Sequence, residues 1–217
     1  MGRPTPSITV HTAGLSTRQR SLLMRLGPFL AREGFYLGGG TALAVYLGHR
    51  KSVDLDWFYP LRLGDPLAWV ERIREAGIGL TAIRIDKGTI HAQAHGTHIS
   101  FFEYRYSLLH PLVRFALGSC NMASMDDLAC MKLSAVTQRG SKKDFIDIYA
   151  LMKKHASLGS MLQMYQNKFG VRDIGPVVYA LGYFDDAEKE RTPTVLWRVT
   201  WREMRKEIEN ALKDLTI

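Results

Sequence analysis

Two aspartates one residue apart, Asp54 and Asp56, carry the most specific chemistry in this chain. They lie in a β-rich run, residues 53–58, in which positions i and i+2 share a face, so both carboxylates project together. Val53, Leu55 and Trp57 are expected to point the other way, into a core. Adjacent carboxylates repel, and each raises the other's pKa unless a cation sits between them. Mg²⁺ takes oxygen ligands of this kind, one or two carboxylates with substrate phosphates completing its shell. Just upstream, Gly38-Gly39-Gly40-Thr41 opens a helix-like apolar run over 42–47, and bare N–H groups at a helix start are a ready phosphate site. A basic turn, His49-Arg50-Lys51-Ser52, joins the two parts. Residues 37–58 read as a phosphate cradle facing a metal-binding carboxylate pair.

A second loaded stretch runs over 126–149. Lys132 and Arg139 are seven residues apart, so they share a helix face about two turns, or roughly 10 Å, apart. Asp144 and Asp147, at i and i+3, share a face of the next helix, away from the apolar stripe of Phe145, Ile148 and Met152. A cation pair facing a carboxylate pair suits triphosphate and base binding; it equally suits a structural salt-bridge lattice. Asp144 reads also as the N3 member of a cap begun by Ser141. Lys132, between Met131 and Leu133, reads also as a lysine snorkelling at the core edge. Asp147, ionisable among apolar neighbours, favours a functional role. His91, His95 and His98 straddle a turn at Gly96 and read as exposed hairpin histidines, not metal ligands.

The elements that position these residues follow from periodicity and caps. Ser16 and Gln19 form a capping box ahead of Leu22, Leu23, Leu26, Phe29 and Leu30 at helical spacing, ending near Gly34. A short strand over 35–37 leads into the glycines, and a helix over 41–47 follows. Asp65-Pro66 starts another helix with Leu67, Val70 and Ile73 as its buried stripe and Gly77 as its end. Residues 80–85, 89–94 and 98–106 read as a strand meander. Beyond Pro111 the pattern turns helical: Ser124 caps a helix broken at Gly140, Ser141 starts the next, and helices are expected over 158–169, 174–183 and 193–215. The fold class is α+β, with a unit over 1–112 and an all-α unit over 113–217, the change falling near 112–122.

The chain has 217 residues, enough for a sizeable core, and a net charge of +8 that favours acidic partners such as nucleotides or nucleic acid. Cys120 and Cys130 have no zinc spacing and read as reduced core thiols. No run of about 18 apolar residues spans a membrane, and the N-terminus lacks a signal-peptide core; the expected location is cytoplasmic.

The quoted residues resemble a known family. Gly38-Gly39-Gly40-Thr41-Ala42-Leu43, then His49-Arg50-x-Ser52-x-Asp54-Leu55-Asp56-x-Phe58, then Lys132-x-x-Ala135, then Arg139-Gly140-x-Lys142-Lys143-Asp144-Phe145-x-Asp147-x-Tyr149 are similar to the AbiEii/AbiGii group. These are nucleotidyltransferase-like toxins of type IV toxin–antitoxin and phage-abortive systems. The resemblance spans about residues 20–190. It implies a polymerase-β-like nucleotidyltransferase domain with a mixed sheet, followed by a helical domain, with the site between them. It implies a catalytic set of Asp54, Asp56, Lys132 and Asp147, with Asp54 and Asp56 holding Mg²⁺ or Mn²⁺. It implies a nucleotide-binding set of Gly39, Gly40, Thr41, Ser52, Arg139, Lys143 and Asp144. The reaction implied is transfer of a nucleotide from an NTP to RNA, with tRNA 3′ ends as one acceptor class, and a cognate antitoxin as partner.

One departure stands out. The third carboxylate of such sites comes from a neighbouring strand, where Ser100 stands here; Glu103 falls on the opposite face by alternation. An alternative reading follows, a catalytically weakened nucleotide- or RNA-binding protein on the same scaffold.

Overall fold

A computed structural model of the chain describes residues 10–215. The mixed sheet has the strand order β3 (Thr81–Asp86), β4 (Thr89–Ala94), β5 (Thr97–Glu103), β2 (Asp54–Tyr59), β1 (Tyr36–Leu37), β7 (Cys120–Met122), β6 (Val113–Phe115). Its centre is β1 antiparallel to β2, which runs parallel to β5. The meander adds β4 and β3, and β7 and β6 extend the other side.

Alternation sorts the central strands. Leu55 and Trp57 of β2 and Phe101 of β5 are fully buried, while Asp54, Asp56, His98 and Ser100 take the opposite, open face. Val53 departs from the expected pattern at 70% exposed, because pairing begins only at Asp54 and the preceding loop carries Val53 outward. Edge strand β3 is mostly exposed, and its register shifts between Thr81 and Arg84, an irregularity that blunts an open sheet edge.

The caps form where their residues dictate. In α1 (Thr17–Arg32), Ser16 and Gln19 make the full capping box. In α3 (Pro66–Glu75), Asp65 accepts from the Leu67 N–H at 2.9 Å. The buried stripe of α3 is Trp69, Val70 and Ile73; Leu67 is 61% exposed, so the helix is rotated from the expected orientation toward Trp69. The Trp69 indole N–H donates to the Leu63 carbonyl and its ring meets Phe35 edge-on, which anchors that face.

The helical part comprises α4 (Met125–Arg139), α5 (Lys142–Lys154), α6 (Leu158–Phe169), α7 (Gly175–Gly182), α8 (Asp185–Lys189) and α9 (Trp201–Lys213). Helix α4 packs on α5, α6 and α7 and, with α5, on α2 (Gly39–Leu47). Because β6 and β7 follow residue 112, the sheet ends at Met122, and the passage to helices falls at the far end of the 112–122 interval.

The expected start of the last helix is also corrected. The last helix begins at Trp201, where Thr200 and Glu203 form a capping box, and not near Pro193. The preceding residues run extended beside the basic turn. Lys51 N–H donates to the Thr194 carbonyl at 2.8 Å, Leu196 N–H donates to the His49 carbonyl at 2.8 Å, and Arg50 bridges Val195. A proline and a β-branched run disfavour helix there.

Candidate active site

The glycine run exists because β2 lies hard against the start of α2. Gly38 N–H donates to the Asp56 carbonyl at 2.9 Å. A Cβ on Gly39 would stand 2.3 Å from Asp56 Oδ2, one on Gly38 2.6 Å from the Phe58 ring, and one on Gly40 2.3 Å from the Arg50 guanidinium. Gly39 also has φ +62°, a conformation that glycine adopts without strain. The N–H groups of Gly39, Gly40 and Thr41 belong to the first helical turn, which has no intrahelical acceptors. They are presented beside the carboxylate pair, and Gly39 and Gly40 line the cleft.

That cleft, about 1,020 Å³, runs between the open sheet face and helix α4. Asp54 and Asp56 both line it. Among the described residues, no hydrogen bond reaches either carboxylate; the nearest cation is Lys143, whose Nζ is 4.0 Å from Asp54 Oδ2. Burial, and then the Asp54 charge, pushes the Asp56 carboxyl above its ordinary value. A pair whose charges are so little compensated by the protein suits a divalent cation with substrate phosphates as further ligands. Among the described residues no group of three His, Cys, Asp or Glu side chains could hold a metal by itself.

Thr41 stands differently from its expected role. Its hydroxyl is fully buried, lies 2.8 Å from Ser52 Oγ, and donates to the Asp54 carbonyl. The hydroxyl therefore ties the basic turn to α2, and only the Thr41 N–H is left to address a ligand. Ser52 reaches the cleft.

Behind the cleft lies a buried charge lattice. Asp147 accepts from Arg50 Nε at 2.6 Å, Arg50 Nη2 at 2.8 Å and Lys132 Nζ at 2.7 Å, and contacts His49 Nε2 at 2.7 Å. Asp144 accepts from Lys132 Nζ at 2.8 Å, Arg139 Nε at 2.8 Å, Arg139 Nη2 at 3.0 Å and Ser141 Oγ at 2.8 Å. Burial pushes both carboxyls up, but Arg50 and Lys132 hold Asp147, and Lys132 and Arg139 hold Asp144, well below the usual carboxylate range. Burial lowers the Lys132 ammonium, and Asp147 with Asp144 more than offsets it. Burial drives His49 below its ordinary value despite the Asp147 bond.

The lattice separates the expected site residues into two groups. Lys132, Arg139 and Lys143 line the cleft with Arg50, whereas Asp144 and Asp147 are fully buried and do not. Asp147, expected as catalytic, and Asp144, expected as nucleotide-binding, touch the cleft only through the cations they hold. The turn after α2, helix α4 and helix α5 each bring charges to this lattice, and ion pairs this deep are tolerated only when closely paired.

On the sheet side Ser100 pairs in register with Asp56, and His91 Nδ1 lies 3.0 Å from Ser100 Oγ. His91 and His98 line the cleft; His95 sits on the hairpin turn with Arg25 at 3.0 Å. Glu103, expected on the opposite face, also reaches the cleft at the end of β5, where it accepts from the Leu63 N–H at 3.2 Å. Arg50 and the extended residues 191–194 also line the cleft. Arg50 has its signal in the basic turn; residues 191–192 carried none, and 193–194 fall at the start of the helix expected over 193–215.

Residues 21–119 and 107–215 match the profile of the nucleotidyl transferase AbiEii toxin family of type IV toxin–antitoxin systems. The chain is 38% identical over 182 residues to an uncharacterized protein of Aquifex aeolicus, covering 81% of this chain and 86% of that one. Its fold is similar to JHP933 from Helicobacter pylori, with a TM-score of 0.57, 18% identity and 92% of each chain covered. It is also similar to MenT4, a nucleotidyltransferase toxin from Mycobacterium tuberculosis, with a TM-score of 0.51 and 16% identity over 94% of this chain and 88% of that one. A third likeness, to ANT(2″)-Ia in complex with adenylyl-2″-tobramycin, has a TM-score of 0.51 and 15% identity over 71% of this chain and 98% of that one. The mixed sheet with its flanking helices is thus a nucleotidyltransferase fold, and the chain belongs to the AbiEii nucleotidyltransferase toxin family.

Proposed function

We propose that this nucleotidyltransferase moves a nucleotide from an NTP to an RNA acceptor, the 3′ end of a tRNA, as the toxin of a type IV toxin–antitoxin pair. One observation carries the reading: the start of α2 packs so closely on Asp56 that a Cβ on Gly39 would stand 2.3 Å from its Oδ2, and Gly39, Gly40, Asp54 and Asp56 line the same cleft, so phosphate donors and metal ligands share one corner of it. Asp54 and Asp56 would hold Mg²⁺ or Mn²⁺, which when bound supplies charge neutralisation for the phosphates. The N–H groups of Gly39, Gly40 and Thr41 hold phosphate oxygens, with Ser52 at the rim. Lys132, Arg139 and Lys143 offset negative charge as it grows on the departing pyrophosphate. The acceptor hydroxyl oxygen forms the new bond to the α-phosphorus, the bond to the pyrophosphate oxygen breaks, and the hydroxyl proton is released to water.

In this reading Asp147 and Asp144 are positioning residues that fix Arg50, Lys132 and Arg139. The sheet with α2 supplies cradle and carboxylates, and helices α4 and α5 supply Lys132, Arg139 and Lys143. The net charge of +8 supports an RNA acceptor bound with salt-sensitive affinity. Among the described residues no helix is long and apolar enough to cross a membrane, and action on tRNA would place the protein in the cytoplasm.

Incubation with each labelled NTP, Mg²⁺ and total tRNA tests the proposal. Label should appear in tRNA with wild type and be absent with Asp54→Ala. No transfer with any of the four NTPs overturns it. A second reading, NTP–Mg²⁺ binding with little turnover, is favoured by Ser100 standing beside Asp56 without a third carboxylate; binding without label transfer would select it.

A further inference from the structure

The end of the cleft away from the carboxylates is aromatic. Phe58 lies two residues beyond Asp56 on the same face of β2, about 7 Å further along the strand. Phe102, its in-register partner on β5, stacks on it at 5.1 Å between centroids. Tyr104 meets Phe58 edge-on at 5.4 Å, Tyr106 meets Tyr104 at 5.2 Å, and Phe169 of α6 meets Tyr106 edge-on at 4.9 Å. All five rings line the cleft, and Tyr106 is 55% exposed.

The row is held from behind by a buried ion pair. Lys168 Nζ donates to Asp127 Oδ1 and to the Ser107 carbonyl, both at 2.7 Å, and lies 5.6 Å from the Tyr104 ring centroid. Asp127 also accepts from Leu109 N–H at 2.9 Å and Ser124 Oγ at 2.7 Å. The loop carrying Tyr104 and Tyr106 is thereby pinned to α4 and α6. Burial pushes the Asp127 carboxyl up, and the bonds from Lys168 and Ser124 outweigh it. Buried pairs of this kind contribute little net stability but fix geometry once formed.

We propose that this row is the seat of a nucleobase, stacked against the exposed ring of Tyr106 and its aromatic neighbours. The inference rests on the nucleotide reading of the Asp54–Asp56 corner. A ring row in an otherwise charged cleft matches a ligand with one flat, weakly hydrated end and one anionic end. Phe58, about 7 Å along β2 from Asp56, is the near end of the row, and Tyr106 stands two ring contacts further from the carboxylates, so the anionic end and the flat end of a nucleotide would lie at opposite ends of the cleft. Every base presents a π-face, so the row adds affinity without choosing among bases.

The test compares wild type, Tyr106→Ala and Tyr106→Phe in the presence of Mg²⁺. Dissociation constants are measured for the four NTPs, for inorganic tripolyphosphate, and for a short oligoribonucleotide with an intact or abasic 3′ end. Tyr106→Ala should weaken all four NTPs roughly 5- to 100-fold and leave tripolyphosphate unchanged, while Tyr106→Phe retains wild-type values. A loss confined to the oligoribonucleotide with its terminal base intact also supports the seat, with the acceptor's base as occupant. No change in any ligand, or an equal loss for NTP and tripolyphosphate, overturns it. Wild type that binds neither NTP nor tripolyphosphate overturns the nucleotide reading and this inference together.

Discussion

Asp147 on α5 and Arg50 just after α2 form a two-point ion pair, with Arg50 Nε and Nη2 at 2.6 and 2.8 Å from the two carboxylate oxygens. They stand 97 residues apart in the chain, one among the helices and one beside the sheet. With Lys132 on the same carboxylate, this pair sets where two cleft cations point.

Asp147→Asn should therefore lose stability and activity together. The substitution leaves Arg50 and Lys132 buried against a neutral amide, a mismatch that costs about 3–5 kcal/mol. Urea denaturation alongside the transfer assay measures both. Undiminished stability with lost activity would contradict a positioning role.

Asp56→Asn should do the opposite to stability. It removes the charge that burial and the neighbouring Asp54 disfavour, so the melting temperature without divalent cation should rise by a few degrees while transfer falls by about 100-fold or more. Mg²⁺ should stabilise wild type by about 2.7 kcal/mol at a hundredfold excess over its dissociation constant, and should leave an Asp54→Asn, Asp56→Asn double variant unmoved. Differential scanning calorimetry with and without the cation checks both.

The pH dependence of stability should have two arms. Asp144 and Asp147 have depressed carboxyls, so the unfolded state binds more protons; their stabilisation is full above about pH 5 and is lost as pH falls below about 4 toward the folded values. Asp56 is raised, so its contribution is full below about pH 4 and is lost as pH rises through the raised value. Urea midpoints from pH 3 to 8 should show the second arm in wild type without metal. Asp56→Asn should lack it.

Gly39→Ala should disable the site while the protein still folds. The added methyl meets Asp56 Oδ2 at 2.3 Å at a positive φ, so the α2 start and the carboxylate must part. Transfer should fall at least tenfold, and the Mg²⁺-dependent rise in melting temperature should shrink. Wild-type values of both would mean that the close approach is dispensable.

Local rules made much of this molecule readable in its residues. The Ser16–Gln19 and Asp65–Pro66 starts and the Gly140 stop depend on neighbours within one helical turn. The shared face of Asp54 and Asp56 follows from strand alternation alone, and both line the cleft. Motif order further pointed to the family. Partner choice over long separations needed the tertiary structure. Asp147 was expected in the cleft and lies behind it, because Arg50 and Lys132, from separate elements, and His49 beside Arg50 enclose it. Thr41 spends its hydroxyl on a turn that only the folded chain brings within reach. Lys168 and Asp127, 41 residues apart, bear no shared pattern, yet together they hold the aromatic end of the cleft. Periodicity and caps determined most of the elements and their starts, although Val53 and Leu67, placed inside by pattern, lie exposed; which charge met which was decided by packing, since ion pairing depends on distance in space and burial, and neither is encoded by separation along the chain.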